Sequence, residues 1–271
     1  MKILDHGSLT LVEAWGGDEQ IVEAARMSTG KGFLGWGPKA CSKCVGEQHD
    51  PNCGVKWMSS GALISPCTCR RPLGCDCGAT GIVLGDEKLL RYLWTHKHTS
   101  PFEQVGATFE VEAPIFVFRE WHRHRTQSYN EMSARYTSLP DKNYLPERCR
   151  CNPTLSENRQ AQGHRKLPGT LTEVEVDAWL DDLERVYKHA QTIYDRGLDM
   201  GIPKELARLP VPVARYSRMR ASANLLNWLR FLRLRTSPEA QWEIRQYAEG
   251  LQSLLAERFP RTLELFAEGG L

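Results

Sequence analysis

The sequence predicts an α+β fold in which a central, mostly antiparallel sheet is flanked by helices. Three segments alternate apolar and polar residues, as half-buried strands do: residues 2–15, 105–112 and 213–222. Longer segments with apolar residues at helical spacing lie between and after these strands. With 271 residues, of which 41% are hydrophobic, the chain can bury the core of one main domain over residues 1–271.

The overall charge does not point to a polyanionic macromolecule as partner. The net charge is only +2 and the isoelectric point is near 8.1, which is too mild to require nucleic acid or an anionic membrane. The first residues carry no apolar signal core, and no apolar run reaches the ~18 residues that cross a bilayer. We therefore expect a cytoplasmic protein that binds neither membrane nor nucleic acid.

The first helix is predicted over residues 18–27, where Ile21, Val22 and Ala25 share one side. Residues 30–39 follow with glycines at the spacing of a dinucleotide-binding motif. That motif needs a strand before it and a helix after it. Here a helix precedes the glycines and cysteines follow them, so a Gly-rich loop is the prediction.

A Cys-rich insert is expected at about residues 38–80. It holds seven of the nine cysteines in the chain: Cys41, Cys44, Cys53, Cys67, Cys69, Cys75 and Cys77. In a reducing compartment such short spacings favour metal ligands over disulfides, and paired thiolates can close a tetrahedral zinc site. The insert has few aliphatic residues, so it needs such a source of stability. The alternative is a Cys-rich loop without metal, and Cys149 with Cys151 could complete a site from elsewhere.

Later helices are predicted over residues 85–97, 172–197, 203–208, 224–235 and 239–256. Thr172 and Glu175 have the spacing of a capping box at the start of the longest helix. The helix at residues 224–235 is apolar almost all round yet carries Arg230, Arg233 and Arg235. We expect it to be buried, with these cations facing a ligand or a partner.

The most unusual segment is residues 119–136, REWHRHRTQSYNEMSARY. It carries four arginines, two histidines and two glutamates among large aromatic residues. An arginine fork matches a phosphate, a serine hydroxyl adds a donor, and a glutamate can orient an arginine or accept from a hydroxyl or a ring N–H. Glu131, Ser133 and Arg135 would share one face if this part is extended. The segment predicts a site for a phosphate-bearing, flat ligand, whereas a solvated basic helix is the plainer alternative.

These residues resemble the signature of the flavin-dependent thymidylate synthases. The match is an Arg-His-Arg triplet, seven further residues, a serine, and then an Arg-Tyr pair: Arg123, His124, Arg125, Ser133, Arg135 and Tyr136. Residues 96–103 (HKHTSPFE) resemble the segment of that family that contacts the flavin, and residues 229–248 resemble its last conserved block. The resemblance covers most of residues 1–28 and 86–265.

The resemblance implies an enzyme that methylates dUMP to dTMP, with methylenetetrahydrofolate as carbon donor, FAD as hydride carrier and NADPH as reductant. It assigns these residues to the cofactor: His98, Ser100, Arg123, His124, Arg125, Glu131, Asn224 and Arg230. It assigns these residues to the nucleotide: Glu120, Glu131, Ser133, Arg135, Arg208 and Arg235. Arg235 and His98 would be catalytic, Arg235 by binding the uracil ring and favouring an enolate-like charge. A homotetramer with active sites shared between subunits is also implied.

Other functions stay open at this point. Glu120 and Arg230 stand where some relatives of that family have glutamine and asparagine, so a different pyrimidine deoxynucleotide, or hydroxymethyl transfer, is an alternative. A zinc-bearing nucleic-acid-binding protein, with the arginines following a phosphate backbone, is the alternative from another class. A Ser133 nucleophile with His124 as its base is a further one, although no carboxylate is clearly placed to orient the histidine.

Overall fold

The computed structural model describes residues 1–36, 85–151 and 171–269, together with the backbone of four short strands between residues 40 and 83. In chain order the strands and α-helices are β1 (Lys2–Ile3), β2 (Gly7–Trp15), α1 (Asp18–Arg26), β3 (Ala40–Cys41), β4 (Lys56–Trp57), β5 (Leu63–Ser65), β6 (Ile82–Val83), α2 (Glu87–Thr95), β7 (Gly106–Pro114), α3 (Ile115–Trp121), β8 (Ser128–Glu131), α4 (Glu173–Asp199), α5 (Lys204–Ala207), β9 (Tyr216–Asn224), α6 (Leu225–Arg235), α7 (Trp242–Arg258) and α8 (Pro260–Glu268). They group into two compact units, Met1–Trp15 with Gly106–Glu257, and Gly16–Val105 with Arg258–Leu271.

An antiparallel sheet of five strands forms the centre of the first unit, in the order β1-β2-β7-β9-β8. The three alternating segments became β1 with β2, β7 and β9, which confirms the predicted α+β class. Side chains at every second position of β7 are fully buried, and Trp228 of α6 packs edge-on against Phe109 with ring centroids 5.2 Å apart. The Trp228 indole N–H also donates to the carbonyl oxygen of Ala107 at 2.9 Å. The core therefore lies between the apolar face of the sheet and α6.

Helix α6 is buried along its apolar residues and exposed at two of its arginines. Its six apolar residues from Leu225 to Leu232 are buried, as predicted. Arg230 and Arg233 are exposed, and their contact with a ligand or a partner stays a prediction. Only the sides of α6 that face the sheet and its neighbouring helices are covered. Arg235, at the last turn, is the cation that is mostly buried, with 15% of its side chain exposed.

The long helix α4 begins as its sequence predicts. The Thr172 hydroxyl oxygen accepts from the backbone N–H of Glu175 at 3.3 Å, and the Thr172 backbone N–H donates to the Glu175 carboxylate at 2.7 Å. Tyr187 and Tyr194 on this helix are buried, whereas Trp179 is 51% exposed. Of these three aromatic residues of α4, only the two tyrosines therefore belong to the core. In the described residues no helix is at once long and apolar enough to span a bilayer.

Two buried aspartates organise the second unit. Asp86, fully buried, accepts from the guanidinium of Arg26 and from the backbone N–H groups of Leu34 at 2.6 Å and Gly35 at 3.2 Å. Asp18 accepts from the first N–H groups of α8, including that of Arg261 at 2.8 Å. Asp86 therefore fixes the Gly-rich loop, and Asp18 caps a helix that the sequence pattern did not predict.

The predicted zinc ligands cannot be compared with the structure. Six of the seven cysteines of the insert lie outside the described residues, and of Cys41 only the backbone in β3 is described. Cys149 and Cys151 lie in a short 3-10 turn, where neither forms a disulfide. Among the residues that are described, no group of three or more His, Cys, Asp or Glu side chains could hold a metal ion.

Candidate active site

A pocket of about 520 Å³ opens beside the end of β8 in the first unit. Its polar lining consists of Arg119, Glu131, Ser133, Arg208 and Ser217, and apolar side chains form the rest of its wall. Three of these five residues were predicted to bind a nucleotide: Glu131, Ser133 and Arg208. The fold therefore brings residues that are up to 77 positions apart in the sequence to one concave surface.

The chain turns sharply where it leaves β8, and this turn separates Arg135 from the pocket. Beyond Glu131, the backbone N–H of Met132 still pairs with β9, donating to the Arg218 carbonyl oxygen at 2.7 Å. The N–H groups of Tyr136 and Thr137 then both donate to the carbonyl oxygen of Ser133, at 3.0 and 3.1 Å. The condition under which Glu131, Ser133 and Arg135 would share one face, an extended chain, is therefore not met at Arg135, which is exposed with its Nε 3.6 Å from a Glu205 carboxylate oxygen.

Glu131 is held in the pocket by a serine that the sequence pattern did not single out. The buried hydroxyl of Ser217 donates to Glu131 Oε1 at 2.8 Å. Arg119 and Arg208 are both exposed, and neither pairs with a carboxylate within the described part of the chain. Two cations, one carboxylate and two hydroxyls therefore meet in one pocket, a composition that suits an anionic ligand bearing hydroxyl or N–H groups.

Glu120, His124 and Arg235 form a second group of polar residues, here called the Arg235 cluster. Arg235 Nη1 donates to Glu120 Oε2 at 2.8 Å, and Nη2 donates to the Glu120 carbonyl oxygen at 3.0 Å. Arg235 Nε donates to His124 Nε2 at 2.9 Å. The cluster joins the end of α3 to the last turn of α6, across more than 110 residues of sequence.

His124 is neutral in this arrangement. Burial, with the positive charge of Arg235 as a second cause, lowers the pKa of His124 from 6.5 to about 4. Because Nε2 accepts from Arg235, the proton of the neutral ring belongs on Nδ1. The Tyr129 hydroxyl donates to the His124 carbonyl oxygen at 2.6 Å, and the Phe231 ring packs against the imidazole with centroids 4.8 Å apart. The ring is therefore held from its backbone and from one face.

The other residues assigned to a flavin are spread over both units. Arg123 and Arg125 are exposed in the turn after α3. Asn224 is the N-cap of α6, where its side-chain oxygen accepts from the N–H of Asn227 at 3.0 Å, and Arg230, six residues later, is exposed. In the second unit, His98 and Ser100 are exposed just after α2, and their roles stay predictions.

The geometry does not support a serine nucleophile activated by His124. Nε2 of His124 is committed to Arg235, while Ser133 lines the pocket and its hydroxyl oxygen accepts from the N–H of Arg135 at 3.3 Å. Sequence reasoning also missed two pocket residues, Arg119 and Ser217. Arg119 is the first residue of the charged segment and could have been included, whereas Ser217 carries no signal because it sits in an ordinary alternating strand.

Comparison with known proteins shows which family this chain resembles. The model of the Thy1 family, described as thymidylate synthase complementing protein, matches residues 10–261. The chain belongs to the Thy1 family. This membership confirms the resemblance that the Arg-His-Arg signature indicated.

Curated Thy1-like relatives match nearly the entire chain. The flavin-dependent thymidylate synthase of Rickettsia bellii is 33% identical over an alignment of 276 residues, gaps included, which covers 99% of this chain and 78% of the relative. That of Thermus thermophilus is 35% identical over 268 residues, with the same coverage. That of Thermosipho melanesiensis is 33% identical over 265 residues, which cover 98% of this chain and 92% of the relative.

Two solved structures resemble this Thy1-family chain along its whole length. Both are crystal structures of the UMP/dUMP methylase PolB from Streptomyces cacaoi. The one bound with 5-Br dUMP has a TM-score of 0.68 and 30% identity, covering 100% of this chain and 98% of the other. The one bound with 5-Br UMP has a TM-score of 0.70 and 29% identity, covering 100% and 97%.

Proposed function

We propose that this chain methylates dUMP to dTMP, with methylenetetrahydrofolate as carbon donor, FAD as hydride carrier and NADPH as reductant. The observation that carries the proposal is the pocket in which Arg119, Arg208, Ser133 and Glu131 converge in a chain of the Thy1 family. The similar methylase structures contain 5-bromo derivatives of dUMP and UMP, which supports a pyrimidine nucleotide as ligand.

The polar side chains of the pocket suit the phosphate and the hydroxyl or N–H groups of a nucleotide. Arg208 and Arg119 would bind the phosphate, because an exposed guanidinium that no carboxylate of the described residues engages is available for a bidentate contact. Ser133 would add a hydroxyl donor. Glu131, already oriented by Ser217, would accept from a sugar hydroxyl or a ring N–H. Arg135 is also assigned to the nucleotide by the resemblance, and the turn that holds it outside the pocket would have to bring it closer.

Arg235 would bind the uracil ring. Substitution at C5 of uracil requires negative charge to build up on the ring and its carbonyl oxygens, and a fixed cation stabilises such charge. Three hydrogen bonds to Glu120 and His124 fix this guanidinium before any ligand arrives. An arginine has five N–H donors, so donors remain for a ring oxygen.

The residues assigned to FAD fit an anionic, flat cofactor by their donor chemistry. When bound, FAD would accept hydride from NADPH and pass it to the carbon taken from the folate. Arg123 and Arg125 are exposed cations suited to its phosphates or to a negatively charged ring, and the neutral His124 offers a donor at Nδ1. The resemblance adds His98, Ser100, Glu131, Asn224 and Arg230 to this set, with His98 also in a catalytic role.

The remaining parts of the proposal rest on the sequence. A single domain with a Cys-rich insert at about residues 38–80 would bind zinc through the seven cysteines of the insert, because their spacing suits tetrahedral thiolate sites. The enzyme would be a cytoplasmic homotetramer with shared active sites. Metal analysis tests the first point: zinc that is retained after dialysis and lost in a Cys41→Ser, Cys44→Ser variant supports it, and a metal-free wild type contradicts it.

An anaerobic product assay tests the function. The protein is incubated with FAD, NADPH and methylenetetrahydrofolate and, in parallel, with dUMP, UMP or dCMP, and the products are identified by chromatography and mass. We expect dTMP from dUMP, and an Arg208→Ala variant should have a KM for dUMP raised by about tenfold or more, the size of a lost charge-assisted contact. Arg185→Ala, on the exposed side of α4, is the control. A hydroxymethylated product would contradict methylation and support hydroxymethyl transfer. Product formed only from another pyrimidine nucleotide would contradict dUMP as the substrate and support that nucleotide instead.

A further inference from the structure

We infer that Glu120 acts on the nucleotide through Arg235, by holding the guanidinium in place and reducing its effective charge. This inference rests on the proposed function, in which Arg235 binds the pyrimidine ring. It makes Glu120 a positioning residue that sets whether the site prefers a neutral or an ionised ring.

Among the described residues, Glu120 is one of the two that hold the Arg235 guanidinium. Glu120 engages both terminal nitrogens of Arg235, one through its carboxylate and one through its backbone carbonyl oxygen. His124 takes the third nitrogen. All three nitrogens of the guanidinium are thus bonded, which leaves the group little freedom to rotate. Since only 15% of the Arg235 side chain is exposed, water cannot easily replace a partner that is removed.

Glu120 also sets the net charge of the Arg235 cluster. The Arg235 cluster contains one cation, one carboxylate and a neutral imidazole, so its formal charge is zero. With glutamine at position 120 the same hydrogen bonds could form, but the cluster would carry a full positive charge. The carboxylate therefore weakens the field that Arg235 exerts on a bound ring, by an amount that is moderated because 41% of the Glu120 side chain is exposed.

The consequence is a defined selectivity. A neutral uracil ring needs hydrogen-bond donors from Arg235, and these stay in place with either residue at position 120. A ring that has lost its N3 proton also gains from net positive charge, so it should bind less well beside Glu120 than beside a glutamine. The wild-type site should therefore favour the neutral ring.

Equilibrium binding separates the two roles of Glu120, which are holding the guanidinium in place and reducing its effective charge. Dissociation constants for dUMP and 5-fluoro-dUMP are measured by calorimetry on FAD-loaded protein at pH 8. Fluorine makes the N3 proton more acidic, so a larger share of the analogue than of dUMP is anionic at that pH. The proteins compared are wild type, Glu120→Gln, Glu120→Ala, and Glu184→Gln. Glu184 pairs with Lys188 on the exposed side of α4, so it controls for the loss of one surface carboxylate.

We expect Glu120→Gln to lower the dissociation constant of 5-fluoro-dUMP relative to that of dUMP by about fivefold, and Glu184→Gln to leave this ratio unchanged. Glu120→Ala should weaken dUMP by about tenfold and also lower kcat, because the guanidinium loses its anchor. Retained FAD and an unchanged circular dichroism spectrum show that each variant is folded, and Glu120→Gln alone suffices if the alanine variant is not.

Two different failures can be told apart. A wild-type protein that does not bind dUMP would overturn the proposed function and this inference with it. A wild type that binds dUMP and forms dTMP, with an unchanged ratio in Glu120→Gln, would overturn the inference alone.

Discussion

Replacing Ser217 by alanine should weaken nucleotide binding through Glu131. The Ser217 hydroxyl donates to Glu131 Oε1 at 2.8 Å, and it is the contact that orients this carboxylate among the described residues. A hydrogen bond to an ionised group is worth about 1.5–3 kcal/mol net. Because Glu131 is exposed, water compensates part of the loss, and about 1 kcal/mol remains as the cost of orienting the carboxylate. That energy corresponds to an increase of about fivefold in the KM for dUMP, with kcat changed by less than about twofold.

Steady-state kinetics with dUMP as the varied substrate checks this prediction, and a second serine on the same strand provides the control. Ser222 of β9 accepts a hydrogen bond from the Thr108 hydroxyl at 2.9 Å but does not line the pocket. Ser222→Ala should therefore lower stability by about as much as Ser217→Ala, about 1 kcal/mol in denaturant unfolding, without raising the KM. The reasoning would be refuted if both variants raised the KM equally, or if Ser217→Ala left it unchanged.

Three further predictions concern stability, each measured by denaturant unfolding. Burial and the nearby Arg235 hold the pKa of His124 at about 4, below its ordinary 6.5, so the unfolded chain takes up this proton at a higher pH than the folded chain. The free energy of unfolding should therefore fall as the pH drops from 7 to 5, and it should fall by less in His124→Gln. An equal pH response in both proteins would contradict this reasoning. Gly106→Ala should cost about 1–3 kcal/mol, because a Cβ there collides with the Trp15 ring, and a wild-type midpoint would contradict this. Asp86→Ala should cost about 3 kcal/mol, because it leaves the partly buried donors of Arg26, Leu34 and Gly35 without their acceptor, whereas the exposed Asp182→Ala should cost less than about 0.5 kcal/mol.

Local patterns in the sequence predicted the elements whose causes are local. The capping box at Thr172 and Glu175 needs only four consecutive residues, so the start of α4 could be predicted to the residue. The alternation of apolar and polar residues in β9 is also local, because it depends only on which face of the sheet each successive side chain takes. Helix α3 was not predicted, because it follows a proline and its four consecutive apolar residues, 115–118, fit a strand equally well. Helix α8 was missed as well, and its N-terminal cap comes from Asp18, more than 240 residues away.

The candidate site could be predicted by residue type but not by arrangement. The charged segment and its resemblance to a known family indicated Glu131, Ser133 and Arg208, which the structure places around one pocket. The turn after Ser133, which keeps Arg135 outside that pocket, depends on backbone hydrogen bonds that leave no periodic pattern. The contact of Arg235 with Glu120 spans 115 residues, and no spacing rule reaches that far.

Release of tritium from dUMP labelled at C5 is the most direct test of the proposed methylation of dUMP. Methylation at C5 replaces the hydrogen on that carbon, so every turnover must free one label into water. With FAD, NADPH and methylenetetrahydrofolate present, we predict tritium release that matches dTMP formation mole for mole and stops when the folate is omitted. Protein that binds FAD and dUMP yet leaves the label on the nucleotide would contradict the account.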